Sequence, residues 1–146
     1  MSGAMSELKI AATLQNLDAV LGFVGARLGD CPAKARNQIA VAVDEIFSNI
    51  ARYAYHTNTG GVTIRIAVGH EIVIEFEDSG IPYDPLSADA PDISLPAEAR
   101  EIGGLGIFMV KNIMDSVEYR RDGDKNILTI RKKNAQATRR VPEVLE

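Results

Sequence analysis

Apolar side chains recur at every second position through Val62, Ile64, Ile66 and Val68, and again through Ile72, Ile74 and Phe76. A period of two belongs to strands with one buried face, and neither stretch reads as a helix. Gly69-His70 lies between the two runs and predicts a two-residue hairpin turn with glycine first. A two-stranded ribbon is not stable alone, so its apolar face needs a cover from the rest of the chain.

The flanking segments supply one. Leu8, Ile10, Ala12 and Leu14 alternate and predict a first strand over residues 7–14. Asn16 is placed to cap a helix carrying Leu17, Val20, Leu21, Val24 and Leu28 at helical spacing, and Gly29-Asp30 ends it. Pro32 opens a longer helix to about Tyr55, with a stripe of Ile39, Val43, Ile46, Ile50 and Tyr53. Residues 56–61 read as a turn. From Ser79 to Gly104 the periodicity stops, and Pro82, Pro85, Pro91 and Pro96 interrupt the chain. Loops of that length inside small domains are characteristically functional lids or disordered. A third helix is predicted over 105–115, then strands over 117–121 and 127–132 flanking Asp122-Gly123, a hairpin signal. The sum is an α+β fold: a two-layer α/β sandwich, its sheet mixed but mainly antiparallel, with helices on one face. The expected organisation is a loose start at 1–6, one domain over 7–133 with a lid at about 81–103, and a loose tail at 134–146.

Composition narrows the functions. The chain has 146 residues, sixteen Lys and Arg against twenty Asp and Glu, and a net charge of −4. That balance argues against a binder of duplex nucleic acid, which needs a basic surface. Aromatic residues are 5% and Trp is absent, so stacking platforms for bases are not expected. Cys31 is the single cysteine, which excludes an intrachain disulfide and a cysteine-based zinc site. No apolar run reaches the roughly 18–20 residues of a membrane span, and the start lacks the apolar stretch of a signal peptide. A reduced, cytoplasmic setting is expected.

Three places carry chemistry. Glu45 and Asn49 stand four apart in the long helix, one turn from each other on one side. The carboxylate suits proton abstraction, and the amide oxygen is a hard neutral ligand suited to Mg²⁺. The same spacing also describes an ordinary solvated helix face. Asp78 is in phase with Ile72, Ile74 and Phe76, so it should point to the helix-covered face, where a carboxylate needs donors. An exocyclic amine of a ligand could supply one, and Gly80 would let the backbone pass close to that ligand. A solvated acid at the sheet rim fits the same position. Gly103-Gly104-Leu105-Gly106-Ile107 opens the third helix. Converging N–H groups at a helix N-terminus suit phosphate, and a hinge ending the loop is the plainer alternative. Lys111 reads as a surface lysine. His56 and His70 read as polar loop residues.

In this order, the three places resemble the ATP-binding superfamily of gyrase, heat-shock chaperones, histidine kinases and mismatch-repair ATPases, the GHKL or Bergerat fold. Glu45 and Asn49 match its first signature, Asp78-Ser79-Gly80 its second, and Gly104-Leu105-Gly106 its third. The resemblance implies that Asn49 holds Mg²⁺, that Asp78 reads the adenine amine, and that the glycine turn ends a mobile lid over the phosphates of ATP. It also places Thr129 near adenine. Within the superfamily, Ala42-Val43-Asp44-Glu45, Gly103-Gly104-Leu105-Gly106-Ile107-Phe108 and Leu128-Thr129-Ile130-Arg131-Lys132 are similar to the small anti-sigma-factor serine/threonine kinases.

Those proteins bind ATP and Mg²⁺, sequester a sigma factor, and phosphorylate a STAS-type antagonist protein. The likeness therefore implies Glu45 as general base on the antagonist hydroxyl, and it allows a homodimer. One departure concerns the sigma factor. Some members carry a basic contact residue on the first helix, where this chain has Ala19-Val20-Leu21 and no arginine before Arg27. The alternative reading is a non-catalytic, nucleotide-dependent switch that grips a protein partner. Glu45 favours the kinase, because a pure switch needs no base there. The basic cluster Arg120-Arg121 and Arg131-Lys132-Lys133 reads as a solvated strand edge.

Overall fold

Residues 5–55, 60–87 and 104–134 are described by the computed structural model. The central ribbon is present as β2 (Gly61–Val68) and β3 (Glu71–Asp78). Its register pairs Val62 with Asp78 and Val68 with Ile72. That leaves Gly69, His70 and Glu71 between the last paired positions, so the expected two-residue turn does not form. Gly69 is also not among the described glycines with positive φ, which are Gly29 and Gly123. The cause lies outside the ribbon. Glu71 is drawn into a second ladder opposite Lys133. Asn134 then closes the turn, its N–H donating to the His70 carbonyl at 2.9 Å and its side-chain amide to the Gly69 carbonyl at 2.9 Å.

Around the ribbon stand β1 (Ser6–Ala11), β4 (Ser116–Asp122) and β5 (Lys125–Lys133). The sheet order is β1-β2-β3-β5-β4, and every pairing is antiparallel. The parallel pairing implied by a mixed sheet does not occur among the described strands. The β4–β5 turn is Gly123-Asp124, because Asp122 pairs with Lys125 and stays in the strand.

One face of the sheet is covered by α1 (Leu17–Arg27), α2 (Ala33–Tyr53) and α3 (Gly104–Ile113). Ile64, Ile66, Ile72, Ile74, Phe76 and Ile130 meet Val20, Ile39, Val43, Phe47 and Val110 in one buried cluster. Each large apolar side chain buried this way contributes roughly 1.5–3 kcal/mol. The stripe of α2 is wider than predicted, since Ala42 and Phe47 are also fully buried.

Element ends differ for local reasons. β1 stops at Ala11, and Leu14–Asn16 forms a single 3₁₀ turn with Leu14 47% exposed. Asn16 precedes α1 but does not cap it; its amide donates back to the Ala11 carbonyl at 2.9 Å. Arg36 closes the other end of α1, reaching the carbonyls of Gly25 and Gly29.

Ser6 already pairs with Ile66, so the sheet begins one residue before its expected limit, while at the other end β5 stops at Lys133 and Asn134 is tied to the β2–β3 turn. Residues 1–4, 88–103 and 135–146, and with them most of the expected lid and both tails, lie outside the described residues, as does His56. No described helix is long and apolar enough to cross a membrane.

Candidate functional site

At the end of β3 a cleft of about 480 Å³, including its open mouth, separates the sheet from α2 and α3. Asn49, Asp78, Ile81, Ile107, Asn126 and Leu128 are among its lining residues. Strand parity delivers Asp78 here, because it continues the face of Ile74 and Phe76, and it is 6% exposed. Its Oδ1 accepts from the Gly80 N–H at 2.8 Å and from the Asn126 amide at 3.0 Å. Neither bond uses Oδ2.

Gly80 has a structural reason that the sequence did not reveal. A Cβ there would lie 2.7 Å from the carbonyl carbon and 2.7 Å from the Cβ of Ala54, and closer still to the Ala54 carbonyl oxygen. The glycine therefore lets the turn after β3 press on the end of α2, where the Ile81 N–H donates to the Ala54 carbonyl at 3.1 Å. Tyr55 fixes the same turn from one side. Its hydroxyl accepts from the Ser79 N–H at 2.9 Å and donates to the Gly61 carbonyl at 2.7 Å. Lys125 donates to Ser79 Oγ at 2.8 Å.

Asn49 lines the cleft from α2, and its Oδ1 is buried with no hydrogen-bond partner among the described residues. A buried acceptor left without a donor costs about 1–3 kcal/mol, a cost that a bound cation or water removes. The residues present fit a magnesium ion in that respect: Mg²⁺ takes one or two protein oxygens and completes its shell with phosphate and water. The described residues hold no cluster of three or more His, Cys, Asp or Glu suited to a metal.

Glu45, one turn earlier, is half-buried and lies against Gly106 of α3. A Cβ on Gly106 would collide with its carboxylate. Burial pushes the Glu45 carboxyl above its usual range, neighbouring Asp44 adds to the shift, and Arg52 partly opposes it. Gly104 opens α3 one residue before the predicted start, and Gly106 follows in the first turn with Leu105 between them.

One expectation is corrected. Thr129 does not join this group. It pairs with Glu75 in the β3–β5 ladder, on the sheet face opposite the helices. The residues of β5 that face the helices are Asn126, Leu128 and Ile130. Arg121 is exposed on the edge strand as expected, but its guanidinium also reaches inward, donating to the Gly80 carbonyl at 2.9 Å and to Asn126 Oδ1 at 3.1 Å. Lys132 likewise turns inward and donates to the Ile113 carbonyl at the end of α3, at 2.7 Å. Asn126 itself escaped the sequence reading. Its signal was available, because it is in phase with Leu128 and Ile130 and is 7% exposed.

Residues 10–132 match the family of histidine kinase-like ATPase domains. The serine/threonine-protein kinase BtrW of Bordetella bronchiseptica is 27% identical over 128 residues, which cover 85% of this chain and 89% of that one. The serine-protein kinase RsbW of Bacillus cereus is 27% identical over 93 residues, 60% of this chain, and the match spans only 58% of that relative's length. Among solved structures, the RsbU and RsbW domains of a Mycobacterium tuberculosis protein share the fold. Their TM-score is 0.65 at 12% identity, over 90% of this chain and 32% of that one. The histidine kinase domain of a blue-light activated histidine kinase from Erythrobacter litoralis gives a TM-score of 0.55 at 20% identity, over 82% of this chain and 62% of that one.

Proposed function

The chain belongs to the family of histidine kinase-like ATPase domains, and from that premise we propose that it is a magnesium- and ATP-dependent serine/threonine-protein kinase of the anti-sigma-factor type. Its phosphate acceptor is a STAS-type antagonist protein in the cytoplasm. Residues 7–133 form the kinase domain, and residues 81–103 are its lid. The observation that carries this reading is the pairing, in one cleft, of a buried acceptor carboxylate at Asp78 with an unpartnered amide oxygen at Asn49.

In this reading, Asp78 accepts from the exocyclic amine of adenine through Oδ2, since the donors from Gly80 and Asn126 take Oδ1. Asn49 Oδ1 holds Mg²⁺, which supplies charge neutralisation on the phosphates. Gly104, Leu105 and Gly106 offer the N–H groups of a helix N-terminus to phosphate oxygens. Glu45 takes the proton of the acceptor hydroxyl while that oxygen takes the phosphoryl group and ADP leaves. Its raised pKa fits a base that must hold a proton during the transfer. Phosphoryl transfer asks for little covalent chemistry beyond this positioning.

Thermal unfolding with excess ATP and Mg²⁺ tests the reading, with GTP and Mg²⁺ as control. At about 100 times its dissociation constant a ligand adds roughly 2.7 kcal/mol, or about 5–10 °C for a chain of this size. A shift with ATP alone, lost in Asp78→Asn, is expected. Equal shifts with GTP, or none with either nucleotide, overturn it. Transfer is then read by incubating the chain with labelled ATP and a STAS-type protein, with Glu45→Gln as the inactive control.

A further inference from the structure

Asn126 is a buried side chain whose four hydrogen-bonding positions are all used. Its Nδ2 donates to Asp78 Oδ1 at 3.0 Å and to the Ile81 carbonyl at 2.8 Å. Its Oδ1 accepts from the Tyr119 hydroxyl at 2.6 Å and from the Arg121 guanidinium at 3.1 Å. A primary amide has two N–H groups and two lone pairs, so nothing is left over. Arg121 can only donate, which forbids the reversed amide: that orientation would set the NH₂ against a guanidinium and the oxygen against a carboxylate and a carbonyl. The direction of the amide is therefore dictated from β4, two strands beyond Asp78.

The consequence falls on Asp78. With the amide fixed, Oδ1 accepts from two donors, Asn126 Nδ2 and the Gly80 N–H, and these bonds set the orientation of the carboxylate. Oδ2 is the oxygen that neither bond uses. An acceptor there attracts an amino group and repels a carbonyl. We propose that Asn126 is a positioning residue that holds Asp78 in this state, and so sets the preference of the cleft for an amino-purine over an oxo-purine. The same amide holds the Ile81 carbonyl, so the specificity pair is tied to the point where the chain leaves the sheet. The inference rests on the nucleotide-binding reading above and adds to it a residue that the signatures do not contain.

Asn126→Asp tests it by a route that simple loss of packing would not imitate. The variant is nearly isosteric, but it sets a second carboxyl group against Asp78 Oδ1. Two carboxyl groups at this distance share one proton, and the pair's pKa rises. Below that raised value the shared proton restores the donor to Asp78; as pH rises through it, the proton leaves and two like charges face each other. The other groups around the pair are Tyr119 and Arg121 on β4, Lys125 on β5 and Tyr55 beyond α2, the last two acting through Ser79.

The dissociation constants of ATP and GTP are measured by calorimetry from pH 6 to 8.5 for both chains, and each is read as a ratio to the parent so that nucleotide titration cancels. For Asn126→Asp the ATP ratio is expected to worsen about tenfold from the acid to the alkaline end. Tyr119→Phe, which removes one hydroxyl and keeps the ring, is expected to narrow the ATP preference over GTP about threefold or more at every pH. A parent that binds ATP selectively, beside an Asn126→Asp ratio flat with pH and an unaltered preference in Tyr119→Phe, overturns the inference alone. A parent that binds no ATP overturns the nucleotide reading and the inference with it.

Discussion

Gly80→Ala separates two reasons for a glycine after Asp78. If the glycine were there only to let a ligand approach, the alanine chain would be as stable as the parent without nucleotide and would lose only affinity. The geometry predicts the opposite order. The new Cβ would lie 2.7 Å from the Ala54 carbonyl carbon and Cβ, where ordinary contacts start at about 3.4 Å. The backbone has to retreat by most of an ångström, and the flexible side chains that could yield elsewhere are absent, because the obstacle is main chain. Overpacking of this kind costs about 1–3 kcal/mol. The retreat also stretches the bond from the Ile81 N–H to the Ala54 carbonyl, now 3.1 Å, for a further loss of roughly 0.5–1.5 kcal/mol. The sum is about 1.5–4.5 kcal/mol, or a Tm lowered by roughly 5–15 °C without ligand. Differential scanning calorimetry of the ligand-free chains reads it directly. Ala54→Gly in the same chain should recover only part of the loss, because it clears the Cβ and leaves the carbonyl in the way. A ligand-free Gly80→Ala chain melting with the parent would refute the close approach of the turn to α2.

The remaining predictions concern the chemistry. Glu45→Gln should lower transfer by about 10²–10⁴ while leaving ATP affinity within about threefold, read by phosphate incorporation beside calorimetry. Since burial and Asp44 raise the Glu45 pKa, its basic form is lost as pH falls through a value above 4.5, and the acid limb of the transfer rate should lie above that value in a pH–rate profile. The same shift means that the ionised form lowers stability above that pKa, so Glu45→Gln should raise Tm at pH 7 and lose that advantage in acid. Asn49→Ala should abolish the Mg²⁺-dependent part of ATP affinity without lowering ligand-free stability, because the amide oxygen it removes is a buried acceptor with no donor to lose. Limited proteolysis should find residues 81–102 cut more slowly when ATP and Mg²⁺ are present, and equal rates with and without them would remove the lid from the mechanism.

Alternation made the centre of the fold legible because burial there is one-sided. Ile72, Ile74 and Phe76 face α2, and each of the three is fully buried. A shift of one residue would expose all of them, so the pattern fixes the face without knowledge of the neighbours. The turn at Gly69 was not legible, because its shape is decided by Lys133 and Asn134, more than sixty residues later. Gly80 fails for the same reason. Only the packing of Ala54 against it says why a side chain is excluded, and that contact spans twenty-six positions of sequence.

The site divides along the same line, and parity decides most of it. Asp78 was found because it continues the buried face of its strand. Asn126 obeys the same rule in β5, but the strand was expected to begin at 127, and an end misplaced by two residues took Asn126 off the sheet. Thr129 shows the converse. Resemblance placed it near adenine, while its parity, odd to Leu128 and Ile130, already assigned it to the other face. Among the described residues the buried polar or charged side chains are Ser48, Asp78 and Asn126, and the last two bond to each other. Burying a carboxylate and an amide is costly unless each is fully bonded. A sheet that is apolar along the rest of its covered face, yet keeps this pair at the mouth of a cleft, has the composition expected where a ligand supplies the remaining donor.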